Sequence, residues 1–82
     1  MSDKKKLQIA IGNRIRALRE AKGVSQQNFA HDCEIEKSNY HRIEAGNTNP
    51  TIYTLHRIAF NLGITLSELV AIENPQETKK GY

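Results

Sequence analysis

The stretch from Ser25 to Pro50, SQQNFAHDCEIEKSNYHRIEAGNTNP, restricts the possible folds more than any other part of the chain. Ser25 offers an N-cap hydroxyl for a first helix that runs to about Cys33. A second helix opens at Glu36 or Lys37, and Gly46 closes it. The pattern predicts two short helices joined by a tight turn. Small polar and charged side chains at the start of the second helix are typical of a helix that enters the DNA major groove, where base edges carry the donor and acceptor code.

Three further helices are predicted around this pair, and no segment shows the alternating pattern of a strand. The first begins at Leu7 and ends before Gly23, the fourth runs from Thr51 or Ile52 to Gly63, and Thr65 or Ser67 caps the fifth. The expected fold is therefore all-α, with five helices in one compact domain. The first four helices are each predicted to bury one apolar face. In chain order, these faces are Ile11, Ile15 and Leu18; Phe29, Ala30 and Cys33; Tyr40 and Ile43; and Ile52, Leu55, Ile58, Ala59 and Leu62. The fifth helix carries Leu66, Leu69, Val70 and Ile72, of which Leu66 and Leu69 can serve the core.

The chain has 82 residues, which is enough for one small domain and one core. We expect a flexible basic arm over residues 1–6, the domain over 7–73 with its helix-turn-helix unit at about 25–45, and a polar tail over 74–82. The single cysteine, Cys33, excludes an internal disulfide and is typical of a reducing cytoplasm. No segment resembles a signal peptide or a membrane span, so the prediction is a cytoplasmic protein without a membrane partner.

The net charge of +3 favours a polyanionic partner, but the charge is unevenly placed. Basic residues crowd the N-terminal quarter of the chain. The stretch from Ser25 to Pro50 is instead slightly acidic, because Lys37 and Arg42 are its only cations. The predicted reading unit is thus not basic in itself. The charged residues concerned are Lys4, Lys5, Lys6, Arg14, Arg16 and Arg19 in the first quarter, and Asp32, Glu34, Glu36 and Glu44 in the stretch.

Two longer patterns carry a resemblance to a known family. One is S-Q-x-x-F-A-x-x-x-x-I-x-x-S-x-Y-x-R-I-E-x-G-x-x-x-P, and the other is T-L-x-x-I-A-x-x-L-G-I-x-L-x-E-L, which follows it in the same register. Together with the upstream IGNRIRALREAKGVSQ, they resemble the phage-repressor/Cro-type helix-turn-helix family, often called the XRE family, from about Ile11 to Leu69. The resemblance implies a five-helix, lambda-repressor-like DNA-binding domain. It also implies a sequence-specific transcriptional regulator of double-stranded DNA.

The resemblance places the recognition helix at about Lys37–Ala45. Lys37, Ser38 and Arg42 align with the base-reading positions of the family, and His41 lies beside them. An arginine can donate to guanine O6 and N7 together, and a lysine can donate as a point charge. The alternative for these side chains is a solvated helix face. They nevertheless lie off the core side, which Tyr40 and Ile43 occupy.

Four further residues are implied to contact DNA, and two to brace the recognition helix. Gln26 matches a family glutamine that holds a phosphate at a helix N-terminus, where unpaired amides favour an anion, and Gln27 is grouped with it. Asn39 and Asn47 look like phosphate contacts, or else are turn and capping residues. Arg19 and Glu44 match a family ion pair between the first and third helices; the alternative is a weak surface pair.

The chain departs from the family pattern at two positions. Glu34 stands in the turn where glycine is usual, so a left-handed backbone there costs about 1 kcal/mol or the turn changes shape. Glu36 stands at the start of the recognition helix, where small capping residues are usual. Its carboxylate can cap the helix or accept from cytosine N4, but it also repels phosphates.

No catalytic residue, metal site, cofactor or small-molecule effector is predicted. His31 and Cys33, for example, are two residues apart on a helix and point in different directions.

The competing function is a protein-interaction module that keeps the fold. Among DNA-binding roles, a stand-alone repressor, a Cro-like phage switch, a restriction–modification controller and an antitoxin-type autoregulator remain open. We expect a homodimer through Val70 and Ile72, because one small unit reads too few base pairs; the alternative is that these two residues only cover the core.

Overall fold

The computed structural model describes residues 2–72, and within them the chain forms five α-helices and no strand. This confirms the predicted all-α fold. Helices α1 and α3 pack on each other most extensively, α2 packs on α3, and α5 on α4. The bounds are Asp3–Ala21 for α1, Gln26–Asp32 for α2, Lys37–Ala45 for α3, Ile52–Leu62 for α4 and Leu66–Leu69 for α5.

The first helix begins earlier than predicted. Residues 3–6, expected to belong to a flexible arm, are helical, because the Ser2 hydroxyl accepts from the Lys5 backbone N–H at 3.1 Å and caps the helix. Asp3 in the first turn also suits the positive end of the helix dipole. The run of lysines concealed this start in the sequence. The predicted tail over 74–82 lies outside the described residues.

The core lies where the five helices meet, and most of its members were predicted. Ile15, Tyr40, Ile58 and Leu69 are fully buried, and Phe29 contacts Tyr40 edge-on with ring centroids 5.6 Å apart. Gly12 lets α1 approach α3 backbone to backbone, since a Cβ atom there would lie 2.5 Å from the Glu44 carbonyl oxygen. This close approach fixes α3 against the longest helix of the domain.

One core prediction was wrong. Ile52 was placed on the buried side of α4, but 73% of its surface is exposed. Ile52 is the first residue of α4 and lies one turn before Leu55, which is the first residue of this helix to pack against the core. Tyr53 and Phe60 are also exposed, so α4 carries apolar side chains on a face that the domain does not cover.

The last helix is shorter than the apolar pattern suggested. Thr65 and Glu68 form a reciprocal capping box, and α5 ends after one turn at Leu69. Val70 is 39% exposed and Ile72 is half-buried, so neither side chain is fully buried in the core. Within residues 2–72 no helix is both long and apolar enough to cross a membrane.

Candidate nucleic-acid interface

Helices α2 and α3 form a helix-turn-helix unit that is anchored through its turn. Ser25 caps α2 by accepting from the Asn28 backbone N–H at 3.1 Å. The Ile35 N–H donates to the Ala30 carbonyl at 2.9 Å, which ties the turn back to α2. Cys33 is buried beneath the turn, and burial raises the pKa of its thiol to about 11, so the thiol is uncharged at neutral pH.

Glu34 adopts the left-handed backbone that the family turn requires. Its φ is +58°, the single positive value among the described non-glycine residues. A non-glycine residue here was expected either to be strained or to change the turn. The turn keeps its shape, and Glu34 bears a strain of about 1 kcal/mol. Arg57 partly compensates by donating to the Glu34 carboxylate at 2.8 Å and to its carbonyl at 3.3 Å.

Glu36 acts as the N-cap of α3. Its carboxylate accepts from the Ser38 hydroxyl at 2.6 Å and from the Asn39 backbone N–H at 3.2 Å. These hydrogen bonds, that from Ser38 first, lower the pKa of Glu36. The carboxylate therefore stays charged in a capping role at neutral pH. The Ser38 hydroxyl is directed toward Glu36 rather than toward solvent.

The outward face of α3 carries the predicted base-reading residues. Lys37, Ser38, His41 and Arg42 are all exposed, whereas Tyr40 and Ile43 are buried on the opposite face. At about 100° per residue, the four exposed residues span about 140° of the helix circumference, so they share one broad stripe of the helix. The structure thus brings these four predicted residues together.

The other predicted DNA contacts are distributed around α3. Gln27 on α2 accepts from the Lys37 ammonium at 3.5 Å, so these two exposed residues are adjacent. Asn39 is half-buried and contributes its backbone N–H to the cap of α3. Asn47 lies beyond the other end of α3, where its side-chain oxygen accepts from Lys5. Gln26 points inward and donates to Glu44 at 2.7 Å.

The predicted ion pair between Arg19 and Glu44 is present and buried. Arg19 Nε lies 2.7 Å from one carboxylate oxygen, and a second guanidinium nitrogen lies 3.2 Å from the other. The side chains are only 8% and 2% exposed. Arg19 also donates to the Val24 carbonyl at 2.7 Å, which fixes the corner between α1 and α2. The alternative of a weak surface pair is therefore wrong.

Glu44 has two donors that the sequence analysis missed. The Tyr40 hydroxyl and the Gln26 side-chain amide both donate to its carboxylate, in addition to Arg19. Tyr40 precedes Glu44 by four residues on α3, a spacing that places both on one helix face and that would have revealed the contact. We call these four residues the Glu44 cluster: Arg19, Gln26, Tyr40 and Glu44.

Within the Glu44 cluster, Arg19 and Glu44 are charged at neutral pH and Tyr40 is neutral. Burial pushes the pKa of Glu44 upward, but the hydrogen bonds from Arg19, Tyr40 and Gln26 outweigh burial and hold the pKa below its ordinary value. The hydrogen bond to Glu44 raises the pKa of Arg19, and burial raises that of Tyr40. A charged carboxylate with several donors holds α1, α2 and α3 in one arrangement.

Comparison with known proteins decides the family. A family model described as a helix-turn-helix domain matches residues 12–75, which is most of the chain. The chain belongs to the helix-turn-helix family. It is a DNA-binding transcription regulator, as the XRE-type resemblance predicted.

The chain matches three relatives over most of their length. The control protein C.MunI from Mycoplasma sp is 39% identical over 64 residues, 77% of this chain and 86% of that protein. The plasmid copy control protein CopR from Streptococcus agalactiae is 35% identical over 71 residues, 87% of this chain and 72% of that protein. The restriction-modification controller protein C.AhdI from Aeromonas hydrophila superimposes with a TM-score of 0.73 at 32% identity, over 76% of this chain and 94% of that chain.

Proposed function

We propose that this regulator recognises a two-fold DNA operator as a homodimer, with α3 of each protomer in the major groove. The observation that carries the proposal is the exposed stripe of Lys37, Ser38, His41 and Arg42 on a helix whose other face is fixed in the core. The Glu44 cluster supports it, because a rigid helix presents its side chains to the base edges without a further ordering cost. Since this partner is DNA, we place the protein in the cytoplasm.

The side chains of the stripe suit different contacts. Arg42 is one turn from the helix start and can donate to guanine O6 and N7 together. Lys37 serves as a point donor, and His41 can donate or accept. Because the Ser38 hydroxyl donates its hydrogen bond to Glu36, Ser38 can contribute through the lone pairs of its hydroxyl oxygen, as an acceptor. The backbone-positioning contacts are assigned to Gln26, Gln27, Asn39 and Asn47, with Gln26 acting through its amide N–H at the start of α2.

The protein offsets the charge of Glu34 but not that of Glu36. Arg57 pairs with Glu34, whereas the Glu36 carboxylate stays charged and accepts two hydrogen bonds from uncharged donors at the start of α3. Only the repulsion of phosphate by Glu34 is therefore smaller than the sequence count suggested. The expected result is selective binding of moderate strength, because few cations contribute the salt-dependent phosphate term.

The dimer is assigned to an apolar groove beside α5. Val70 and Ile72 line this groove of about 490 Å³ together with Leu7, Ile11 and Leu55. Leu7 and Val70 are both substantially exposed. A contiguous apolar surface on a small domain is typical of a self-complementary contact. The same surface would set the distance between the two copies of α3.

Control of restriction–modification genes is the regulatory role that the comparisons favour. The match covers 86% of the control protein C.MunI and 94% of the restriction-modification controller C.AhdI. We therefore propose that the operator lies upstream of genes of that kind. Binding of the purified protein to DNA upstream of its own gene, but not to scrambled DNA of equal composition, is the expected outcome.

Changing Lys37 or Arg42 to alanine tests the reading helix. Each substitution is expected to weaken binding to an operator selected from random DNA by about 1–3 kcal/mol and to relax preference at one base pair. Lys22→Ala is the matched control, because it removes an exposed positive charge at the end of α1, where the Lys22 ammonium lies 4.0 Å from the position of a Cβ atom built on Gly63, at the end of α4. Fluorescence anisotropy titrations measure the affinities. If both variants bind as tightly as the control, α3 does not read the DNA.

A further inference from the structure

The first turn of α1 is attached to the end of the reading helix. The Lys5 ammonium donates to the Gly46 carbonyl at 2.6 Å and also to the Asn47 side-chain oxygen. Both acceptors lie at the C-terminus of α3, where unpaired carbonyls and the negative end of the helix dipole favour a cation. The lysine is half-buried, so it is not simply a solvated charge.

The backbone around this contact is tightly packed. Gly46 is buried and has a left-handed φ of +75°, and a Cβ atom there would lie 2.8 Å from the Ile9 Cα atom. Helix α1 therefore approaches the α3 terminus closely one turn after Lys5. The position of Lys5 relative to Asn47 is set by helix-to-backbone packing rather than by a mobile chain end.

The contact determines how Asn47 is presented. Lys5 holds the side-chain oxygen, so the NH2 group of the exposed Asn47 is the part turned toward solvent, and it has no protein acceptor among residues 2–72. An NH2 group can donate to a phosphate oxygen, whereas the oxygen of the same amide would repel it. A freely rotating asparagine would present either group.

We propose that Lys5 is a positioning residue for DNA binding: it orients Asn47 so that its NH2 group donates to a backbone phosphate beside the major groove. The inference rests on the proposed function, because it assumes that α3 docks on DNA. Lys5 thereby takes part in operator binding as a residue of the first helix, and not as part of a flexible basic arm. Lys4 and Lys6 lie about 100° to either side of Lys5 around α1 and do not share this task.

A double-mutant cycle between Lys5→Met and Asn47→Ala tests the proposal. We expect each single variant to weaken binding to the selected operator about 10-fold, the range of a hydrogen bond to a charged group. The double variant should be no weaker than the weaker single variant, since Lys5 acts only through Asn47. Lys6→Met is the matched control for loss of one N-terminal charge and should change affinity less than 3-fold. Lys5→Arg should restore most of the affinity.

Two results would overturn the proposal. If Lys5→Met weakens binding equally in the Asn47→Ala background, Lys5 contacts phosphate directly or acts through stability. If Lys5→Met matches Lys6→Met, only net charge matters. Thermal unfolding of every variant defines a temperature at which all of them are folded. If Lys5→Met does not fold, Lys5→Gln replaces it in the cycle. Failure of the proposed function is distinct, because the Lys37→Ala and Arg42→Ala variants would then bind like the wild type.

Discussion

Replacing Arg19 by methionine is expected to lower the free energy of unfolding by about 3 kcal/mol or more. The change leaves the Glu44 carboxylate buried and charged, with only Tyr40 and Gln26 as donors, and an uncompensated buried charge costs several kcal/mol. Urea unfolding followed by circular dichroism measures the loss. Arg57→Met is the matched control, because its partner Glu34 is exposed and such pairs contribute less than about 1 kcal/mol.

The Arg19→Met deficit should be largest at neutral pH and should shrink on acidification. In the wild type, the folded-state pKa of Glu44 is below its ordinary, unfolded-state value. The ionised carboxylate therefore stabilises the fold fully at any pH above the unfolded-state pKa, and this contribution is lost as the pH falls through the folded-state pKa. Without Arg19, only the hydrogen bonds from Tyr40 and Gln26 oppose burial, so the pKa of Glu44 is higher than in the wild type and protonation relieves the unpaired charge at a higher pH. A deficit that is independent of pH would mean that lost packing, not charge, is the cause.

Removing the carboxylate as well should recover much of the loss. Arg19→Met with Glu44→Leu still leaves the Tyr40 hydroxyl without its acceptor, so the full repair adds Tyr40→Phe. The triple variant is expected to be more stable than Arg19→Met alone. If the losses from Arg19→Met and Glu44→Leu are additive, the two side chains do not interact, and the bracing role of the Glu44 cluster is wrong.

The combined change of Val70→Glu and Ile72→Glu is expected to give a folded monomer whose operator affinity falls at least about 100-fold. Four carboxylates would meet across the proposed two-fold interface, and the loss of one tethered half of the complex removes an avidity of that order. Sedimentation equilibrium at micromolar concentration measures the association state. Val70 is exposed and Ile72 half-buried, so the monomer should keep its fold.

Phe60→Glu is the matched control for the dimer. Phe60 is 75% exposed on α4 and does not line the groove beside α5. The control should remain a dimer and should bind DNA normally. If instead Phe60→Glu dissociates the protein and the Val70 and Ile72 changes do not, the interface lies on the exposed face of α4.

The sequence predicted the fold well because local signals and burial agreed. Caps such as Ser25 and Thr65, and the apolar faces containing Ile15 and Ile58, lie where the pattern placed them. The start of α1 was missed because a lysine run reads as solvated chain, although Ser2 caps it. Ile52 was misassigned because periodicity gives the direction of a side chain but not where the core ends.

The site was less predictable than the fold, because its contacts join distant parts of the chain. The resemblance gave the Arg19–Glu44 pair, but the contacts of Lys5 with Gly46 and Asn47 span 41 and 42 residues and have no local signal. Glu34 shows the reverse case. The register of the family pattern identified the turn in which glycine is usual. The structure shows that Glu34, which is not glycine, adopts the left-handed conformation in that turn.

Protection of guanine N7 from methylation on a selected palindromic operator is the most direct test of the central claim. N7 lies in the major groove, so two copies of α3 should protect two patches about one helical turn apart, on a complex of two proteins per duplex. Both patches should disappear in the Lys37→Ala and Arg42→Ala double variant. One protected patch on a complex of one protein per duplex, or no protection of N7 under conditions where the protein is bound, would contradict a dimer that reads DNA with α3.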